Sequence, residues 1–451
     1  MSDIIAAIAT GRAPCAIGIL RLSGPGCAAL TGRVFTPKQP FADAPDRRLV
    51  LGLLHDRQGR VIDECLGVVC RAPHSYTGEE TVELQCHGSP AMLAAGLEAL
   101  LAAGARQAGP GEFTRRAFLN GKLDLTQAEA VVDLIDAETA DAAANAAGQL
   151  GGALKRAIGP VYDGLTDLCS HFHAVLDYPD EDIEDFGAAE LSGALDRAGA
   201  ALQELLATYE KGRHLRQGVR AVLLGKPNAG KSSLLNRLAG YDRVIVTDIA
   251  GTTRDTVEEP VRVGRVLLRL TDTAGIREAG DAIEALGVAR SEQAAREAEL
   301  ALFVCDASQP LTDEDRRAIE AAKCAPRSLA LCNKSDLPAA VSPDELPFDT
   351  VLTVSARTGA GLDALPALLE GWFLGENACD GSLLTNPRQF GALDRASRAI
   401  ERAKMGLSLG VTPDAVLTDV EEAMAALGEV TGRTVREDIT NRIFERFCVG
   451  K

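Results

Sequence analysis

Aromatic residues, paired cysteines and long apolar runs are scarce in this sequence of 451 residues. Aromatic residues make up 4% of the chain, with one Trp, so its cores must be built mainly from Ala, Leu, Val and Ile. No apolar run approaches the roughly 18 residues of a membrane helix, and no basic segment with an apolar one behind it opens the chain, so we expect neither a membrane segment nor export. The 11 cysteines include no Cys-x-x-Cys pair, which excludes a disulfide framework, provides no zinc signature and favours reduced thiols in a cytoplasmic protein.

Basic residues are also outnumbered. The chain has 47 Lys and Arg against 64 Asp and Glu, a formal net charge of −17. Because nucleic-acid phosphates are neutralised by clustered Lys and Arg, this balance excludes a protein that coats DNA or RNA unaided. A local basic groove, or a basic partner, stays compatible with it.

The organisation of the chain changes twice along its length, which corresponds to about three domains. Residues 1–118 mix short β-rich runs with one Ala- and Leu-rich helix near 91–103 and predict an α+β domain. Residues 119–217 and 379–451 have helical periodicity, whereas 218–378 alternate strand and helix. We therefore predict a multidomain α/β and α protein, in which an α/β domain is inserted into a central helical domain.

The strongest motif runs from Gly225 to Ser232 and fits G-x-x-x-x-G-K-S between a strand at 221–224 and a helix at 233–238. In such a P-loop, glycines let backbone N–H groups approach phosphates, Lys231 neutralises charge and Ser232 ligates Mg²⁺. A chance glycine-rich turn would lack the two flanking elements. The residues that we predict to bind nucleotide here are Asn228, Ala229, Gly230, Lys231, Ser232 and Ser233.

Three further motifs follow at predicted strand ends and together specify guanine. The sequence Asp272-Thr273-Ala274-Gly275 offers a carboxylate to Mg²⁺ through water and an N–H to the γ-phosphate. In Asn333-Lys334-Ser335-Asp336 the last carboxylate can accept both guanine N–H donors, a paired contact that adenine cannot make. Ser355-Ala356 offers backbone contacts to the guanine O6. These motifs, in this order, predict a Ras-like P-loop GTPase domain at 218–378.

Between the first two motifs lies a switch-like loop, in which Thr253 is the expected second Mg²⁺ ligand beside Ser232. A polar surface loop is the alternative, but it would leave the domain without a switch threonine. The nucleotide-contacting residues that we predict in this loop are Thr247, Asp248, Ile249, Ala250, Gly251, Thr252 and Thr253.

The glutamine that orients the attacking water in Ras-like GTPases is absent, because Ile276 follows Gly275. Hydrolysis then needs another group to position water and another source of positive charge. The carboxylates of Glu278, Asp281 and Glu284 are candidates, and helix N-terminal acids that favour the macrodipole are the alternative for each.

Over essentially its full length the chain resembles the MnmE family of tRNA wobble-uridine modification GTPases, also called TrmE. The resemblance rests on the P-loop, the 247–255 loop and five other runs. Those runs read GILRLSG at 18–24, SYTGEE at 75–80, PGEFT at 110–114, RAFLNGKLDL at 116–125 and FCVGK at 447–451.

This resemblance implies a homodimer whose N-terminal α+β domain binds a tetrahydrofolate derivative, with a 5-formyl-tetrahydrofolate site, as the one-carbon source. It implies a partner, the FAD-containing MnmG, in a heterotetramer or larger complex that adds an aminomethyl or carboxymethylaminomethyl group to C5 of the tRNA wobble uridine. K⁺-dependent pairing of the GTPase domains would activate hydrolysis, with the fixed cation replacing an arginine finger.

The resemblance also assigns roles to individual residues. Glu284 matches the glutamate that orients water, which favours the functional interpretation of that carboxylate. For Cys448, in the terminal motif, a reactive thiol stands beside structural packing as an alternative. The implied K⁺ ligands are Asn228, Thr247, Ile249 and Thr252, and the implied folate contacts are Arg21, Glu83, Lys122 and Lys451.

A rival function, a GTP-dependent RNA-binding or ribosome-assembly factor, would require an RNA-binding module or a basic tail. The sequence shows neither, and a folate pocket has no place in that function. A stand-alone Ras-like switch is disfavoured by Ile276.

Overall fold

The structure is a computed structural model that describes residues 3–11, 13–38, 45–177, 188–241, 258–271, 292–375, 380–433, 443–444, 447 and 450. The chain forms two compact units, each assembled from segments that are distant in sequence. The first unit comprises residues 1–132, 150–195 and 398–451, and the second comprises 133–149 and 196–397. Each unit contains one β-sheet.

The sheet of the first unit has seven strands in the order β3-β4-β5-β6-β2-β1-β7, antiparallel throughout except for the parallel pair β1 and β7. Alternate residues of β6 (Val82, Leu84 and Cys86) are buried under helix α2, which spans Pro90–Ala102. The strands are β1 Ile5–Ile8, β2 Cys15–Ser23, β3 Phe35–Pro37, β4 Val50–His55, β5 Val61–Cys70, β6 Thr81–Gly88 and β7 Arg106–Gln107.

The predicted α+β character of this region is confirmed: the β-rich runs at 16–22, 49–54, 66–70 and 81–86 correspond to β2, β4, β5 and β6, and the helix expected near 91–103 is α2. The sequence does not indicate β7, because its two residues are exposed and polar and carry no alternating pattern. It also does not indicate two short helices, α1 at Cys27–Thr31 and α3 at Glu112–Leu119.

The predicted helical character on both sides of the inserted domain is also confirmed. Within the first unit, α6 and α13 pack together, with the Cys169 Sγ lying 3.4 Å from the Met424 Sδ. No described helix is both long and apolar enough to cross a membrane. The helices are α4 Leu125–Ile135, α5 Ala140–Leu150, α6 Ala153–Asp177, α7 Ala188–Ala207, α8 Tyr209–Gln217, α12 Pro387–Ser408 and α13 Pro413–Thr431.

The sheet of the second unit has six strands in the order β13-β12-β11-β8-β10-β9, parallel except for the β9–β10 hairpin. All seven residues of β11 are buried, as expected for a parallel sheet covered by helices on both faces. The elements are β8 Val219–Leu224, α9 Lys231–Tyr241, β9 Glu258–Val263, β10 Val266–Thr271, β11 Leu300–Asp306, α10 Asp313–Ala322, β12 Arg327–Asn333, β13 Val351–Thr353 and α11 Ala364–Phe373.

This topology places the predicted motifs together. After β8 the chain forms β9 and β10 on one side of that strand and then forms β11 on its other side. The crevice at the carboxyl ends of β8 and β11 is therefore the switch point of the sheet. Ligands of open α/β sheets bind at such a point. The P-loop follows β8 and the Asn333 motif ends β12, at the same edge.

A buried guanidinium holds the motif segments of the first unit together. Arg116, with 10% of its side chain exposed, bonds to the carboxylates of Glu79 at 2.9 Å, Asp3 at 2.7 Å and Glu112 at 3.2 Å. Arg106 bonds to Asp3 and Glu112 too, both at 2.6 Å, but half of its side chain is exposed. The same two carboxylates therefore have one buried and one solvated cationic partner.

We expect Arg116→Leu to lower the free energy of opening the first unit by about 3 kcal/mol, because the largely buried Glu79 carboxylate loses a cationic partner that Arg106 does not replace. Arg106→Leu, the matched control, should cost less than about 1 kcal/mol, because solvent screens an exposed pair. Hydrogen exchange of the β2 and β6 amides, followed by mass spectrometry, measures both values separately from the second unit. Equal losses in the two variants would contradict the role given to burial.

Candidate functional site

The P-loop has a backbone that two of its residues can adopt only as glycine. Gly225 has φ of 145°, and a Cβ there would lie 2.1 Å from the Val304 carbonyl oxygen of β11. Gly230 has φ of 97°, and a Cβ there would lie 2.1 Å from the Asn333 Nδ2. The loop is thus packed against β11 and β12, which leaves the first N–H groups of α9 at the crevice, where helix geometry leaves them without intrahelical acceptors.

The charged and polar side chains of the P-loop stand at this helix start. Lys231 donates from Nζ to the carbonyl oxygens of Gly225 at 2.7 Å and Lys226 at 2.8 Å, which fixes its ammonium across the loop. Ser232 and Ser233 lie in the first turn of α9. Asn228 has φ of 60°, a left-handed conformation that asparagine tolerates better than most residues.

A buried amide, that of Asn333, joins three of the predicted motifs. Its Nδ2 donates to the Ala229 carbonyl oxygen at 2.8 Å, and its Oδ1 accepts from the Ala356 backbone N–H at 2.9 Å. Only 2% of Asn333 is exposed. The P-loop, the Asn333–Asp336 motif and the Ser355–Ala356 pair therefore meet in one place, as the sequence predicts.

Asp336, the predicted reader of the guanine edge, is held by its neighbours. Ser355 donates from Oγ to Asp336 Oδ1 at 2.6 Å, and Arg357 lies 2.8 Å from Oδ2. The Ser355 hydrogen bond is the main reason that the pKa of Asp336 lies below its ordinary value. The carboxylate is therefore ionised at neutral pH and oriented as an acceptor.

Two ion pairs at this site are not predicted from the sequence. Lys334 Nζ bonds to Asp306 Oδ2 at 2.6 Å, and Asp306 is the last residue of β11, a strand end that carries no nucleotide motif. Lys226 Nζ bonds at 2.9 Å to Asp315, a fully buried carboxylate that also caps α10 with Thr312. The position of Asp306 after an apolar run is a signal that could have identified it.

A cleft of about 550 Å³ opens beside these pairs. It is bordered by Lys226, Pro227, Asn228, Lys334 and the residues that lead into α10. Acids and bases alternate around it, so the cleft is polar without a strong charge of either sign.

Several predicted nucleotide-site residues lie outside the described residues. They are Thr247, Asp248, Ile249, Ala250, Gly251, Thr252, Thr253, Asp272, Thr273, Ala274, Gly275 and Glu284. Two residues of the terminal motif, Cys448 and Lys451, lie outside them as well.

Two of the predicted folate contacts meet on the sheet of the first unit. Arg21 on β2 and Glu83 on β6 are register partners, and Arg21 Nε lies 2.8 Å from Glu83 Oε1. The Arg21 guanidinium also donates to the Gly450 carbonyl oxygen at 3.3 Å, 429 residues further along the chain. Gly450 immediately precedes Lys451, so the end of the chain reaches this pair.

Lys122 approaches the same region through a loop. Its Nζ donates to the Pro73 carbonyl oxygen at 3.2 Å, and its stem lies close to Gly78. Tyr76 lies between Pro73 and Gly78 in the sequence, and the centre of its ring is 5.8 Å from the Arg21 guanidinium. Tyr76 is 40% exposed, donates or accepts a hydrogen bond with Thr114 at 2.8 Å, and has a pKa raised by burial. The sequence does not single out Tyr76 as a site residue.

Two family models match consecutive parts of this chain. A family model described as GTP-binding protein TrmE N-terminus matches residues 4–122, and one described as MnmE helical domain matches residues 125–448.

Among curated relatives, three proteins called tRNA modification GTPase MnmE are similar over 100% of this chain and 99% of their own length. They come from Roseiflexus sp. strain RS-1, 45% identical, Roseiflexus castenholzii, 44% identical, and Symbiobacterium thermophilum, 44% identical.

We expect Asp336→Asn to lower the affinity for GTP about 100-fold, because the amide keeps one neutral acceptor and turns the second acceptor toward the guanine N–H groups into a donor. The variant should instead prefer xanthosine nucleotides, whose C2 carbonyl accepts a hydrogen bond from an amide. Competition between fluorescent guanosine and xanthosine nucleotides measures the change. Arg357→Ala is the control: its side chain is 76% exposed, so affinity should change less than about tenfold. An unaltered base preference in Asp336→Asn would refute the base-reading role.

Proposed function

The chain belongs to the MnmE family of tRNA modification GTPases, and from this premise we propose that it hydrolyses GTP in the modification of the wobble uridine of certain tRNAs. The observation that carries the proposal is the Asn333 amide, which joins the P-loop to the two guanine-binding motifs. With Asp336 ionised beside it, the crevice can receive a triphosphate at the α9 start and a guanine at the other end.

The residues of the P-loop fit a triphosphate with Mg²⁺. A Cβ at Gly230 would collide with the Asn333 Nδ2 at 2.1 Å, so only glycine lets the loop keep this backbone against β12. Lys231 would neutralise the β- and γ-phosphates, and the N–H groups at the start of α9 would donate to their oxygens. Ser232 would ligate Mg²⁺ with Thr253 after γ-phosphate binding, and Asp272 would act through water. The metal supplies charge neutralisation during phosphoryl transfer.

Hydrolysis is assigned to Glu284 and to a K⁺ site. Asn228 lies in the P-loop with its backbone in a left-handed turn, next to the cleft, and would offer its side-chain oxygen to the ion. The carbonyls of Thr247 and Ile249, with Thr252, would complete the ligand set. A monovalent cation there supplies the charge that an arginine finger supplies in other GTPases. Glu284 would hold the attacking water in place of the missing glutamine.

The pair formed by Arg21 and Glu83 supports a tetrahydrofolate site in the N-terminal domain. A planar guanidinium can bond a carboxylate of the glutamate tail, and a carboxylate can accept from the amide edge of the pterin. Both groups are partly exposed, by 20% and 28% of their side chains, so a ligand can reach them. Lys122, which contacts the 73–78 loop, and Lys451 would add charge, and Cys448 belongs to the same terminal motif as Lys451.

We extend the proposal to the partners. Two copies would pair through their N-terminal domains, with the GTPase domains meeting during turnover. The FAD-dependent MnmG would join them in a heterotetramer or larger complex and share the tRNA contact. The net charge of −17 supports this division, because unaided tRNA binding needs basic surface. The four-part division of the chain at 118, 217 and 378 belongs to the same proposal.

We expect GTP hydrolysis to be at least about tenfold faster in KCl than in NaCl at equal ionic strength, because the cation stabilises charge in the transition state. Asn228→Ala should abolish this difference, and Glu284→Ala should keep GTP affinity but lose turnover. Rates come from phosphate release, and affinities from fluorescent nucleotides.

Gln309→Ala, a change in the same cleft without an assigned role, should keep the K⁺ response. Equal rates in both salts would contradict the K⁺ site. Normal turnover in Glu284→Ala would contradict the water-orienting role of Glu284 and leave it as a helix-terminal acid.

Nucleoside analysis of tRNA from cells that lack the gene tests the function itself. The C5 modification of the wobble uridine should disappear and return with the wild-type gene.

Arg21→Ala should bind 5-formyl-tetrahydrofolate at least about tenfold more weakly, because a charge-assisted pair is lost. It should also restore little modification while hydrolysing GTP normally in vitro.

Arg33→Ala is the matched control in the same domain and should behave as wild type. Within the part of the chain that the structure describes, the Arg33 side chain bonds only to the Ala103 carbonyl oxygen. An intact wobble modification without the gene would overturn the function. Wild-type folate binding by Arg21→Ala would overturn only the pocket.

A further inference from the structure

The sheet of the first unit brings together two cysteines that are 21 positions apart in the sequence. Leu66 of β5 pairs with Gln85 of β6, so Cys65 and Cys86 are neighbours across the two strands. Each is 3% exposed and lies in the core beneath α2. The spacing of cysteines along the chain gives no sign of this pair.

A carboxylate joins the two thiols on the same face of the sheet. Asp63 lies two residues before Cys65, and one ligand atom each from Asp63, Cys65 and Cys86 lies within 4.8 Å of the others. Within the described residues, no other group of three such side chains is this close. The cluster thus combines two soft sulfur ligands with one hard oxygen ligand.

The carboxylate is held in place by a residue at the surface. Asp63 Oδ2 accepts from the His87 backbone N–H at 2.8 Å, and Oδ1 lies 2.7 Å from His87 Nδ1. The Asp63 side chain is 7% exposed, whereas that of His87 is 79% exposed. A carboxylate has about four lone-pair positions, so these two bonds leave acceptor capacity for a cation. Asp63 therefore connects the buried thiols to a residue at the surface.

We propose that Asp63, Cys65 and Cys86 form a binding site for a thiophilic divalent cation of the Zn²⁺ class. Tetrahedral Zn²⁺ with Zn–S bonds near 2.3 Å places its ligand atoms about 3.8 Å apart, so the cluster needs to contract by about 1 Å at most. On binding, each thiol releases its proton to solvent and donates a sulfur lone pair to the metal. Water would complete the four-coordinate site beside these three protein ligands. His87 orients the carboxylate from outside, as the outer partners of metal ligands do.

The second unit contains a matched pair that lacks the third ligand. Cys305 and Cys332 are register partners on β11 and β12, both buried, with their sulfur atoms 3.9 Å apart. The nearest carboxylate in sequence, Asp306, already accepts from Lys334 Nζ and Ser308 Oγ at 2.6 Å each. This pair therefore controls for the effect of two adjacent buried thiols alone.

The test uses full-length protein, reduced and stripped of metal, with excess Mg²⁺ present so that the nucleotide site takes no part. Titration with Co²⁺ as a spectroscopic probe should give thiolate-to-metal charge-transfer absorption that saturates at about one equivalent. Cys65→Ser and Cys86→Ser should lose this absorption, and the double variant Cys305→Ser, Cys332→Ser should keep it. Asp63→Asn should keep sulfur ligation but bind at least about tenfold more weakly.

Because serine in a core can itself destabilise the protein, a second measurement uses Cys65→Val with Cys86→Val. Zn²⁺ should raise the thermal midpoint of the wild type and of the Cys305→Val, Cys332→Val protein, but not that of the 65/86 variant. Charge-transfer absorption that survives in Cys65→Ser and Cys86→Ser would overturn the site. So would the absence of this absorption in the wild type, or a Cys65–Cys86 disulfide found by mass spectrometry in reducing buffer.

Discussion

The buried amide of Asn333 constrains the second unit more than any other polar group described. Its two hydrogen bonds are made with backbone, to Ala229 and from Ala356, so neither partner can be replaced by a change of side chain. A buried amide that loses one partner keeps its desolvation cost without the compensating bond. The same amide explains Gly230, where a Cβ would occupy the space of Nδ2. The P-loop and the two predicted guanine-binding motifs are therefore joined through one side chain at the end of β12.

The charged side chains around this amide are held in place by ion pairs and hydrogen bonds that leave them able to contact a ligand. Lys334 is anchored by Asp306, and Lys226 by the buried Asp315, whereas Asp336 is oriented by Ser355. The first pair ties the Asn333 motif to the end of β11, and the second ties the P-loop to α10. Preorganised dipoles cost no reorganisation when charge develops, which is the main advantage that an enzyme site has over water. The arrangement suits phosphoryl transfer, where positioning supplies most of the catalysis.

Sequence reasoning predicts those parts of the molecule that repeat a local pattern. The P-loop, the motif from Asn333 to Asp336 and the Ser355–Ala356 pair each follow an apolar strand, so their order fixes their place on the parallel sheet. Contacts between distant segments carry no such local pattern. Arg21 meets Gly450 across 429 residues, and Asp306 becomes part of the site only because β11 lies between β8 and β12. The family resemblance implies Arg21 and Glu83 as separate folate contacts, but their pairing follows from the antiparallel register of β2 and β6.

The chain has a net charge of −17, and several bases around the two sites are already paired with carboxylates. Arg21, Arg106 and Arg116 all bond to carboxylates within the first unit, and Arg357 bonds to Asp336 in the second. A guanidinium already paired with a carboxylate gives little net attraction to a phosphate, because its charge is compensated locally. The paired bases near the sites therefore mainly organise the protein. Since tRNA affinity depends on phosphates neutralised by available bases, the proposed function requires that another surface contribute them. A basic partner that carries the tRNA satisfies this requirement.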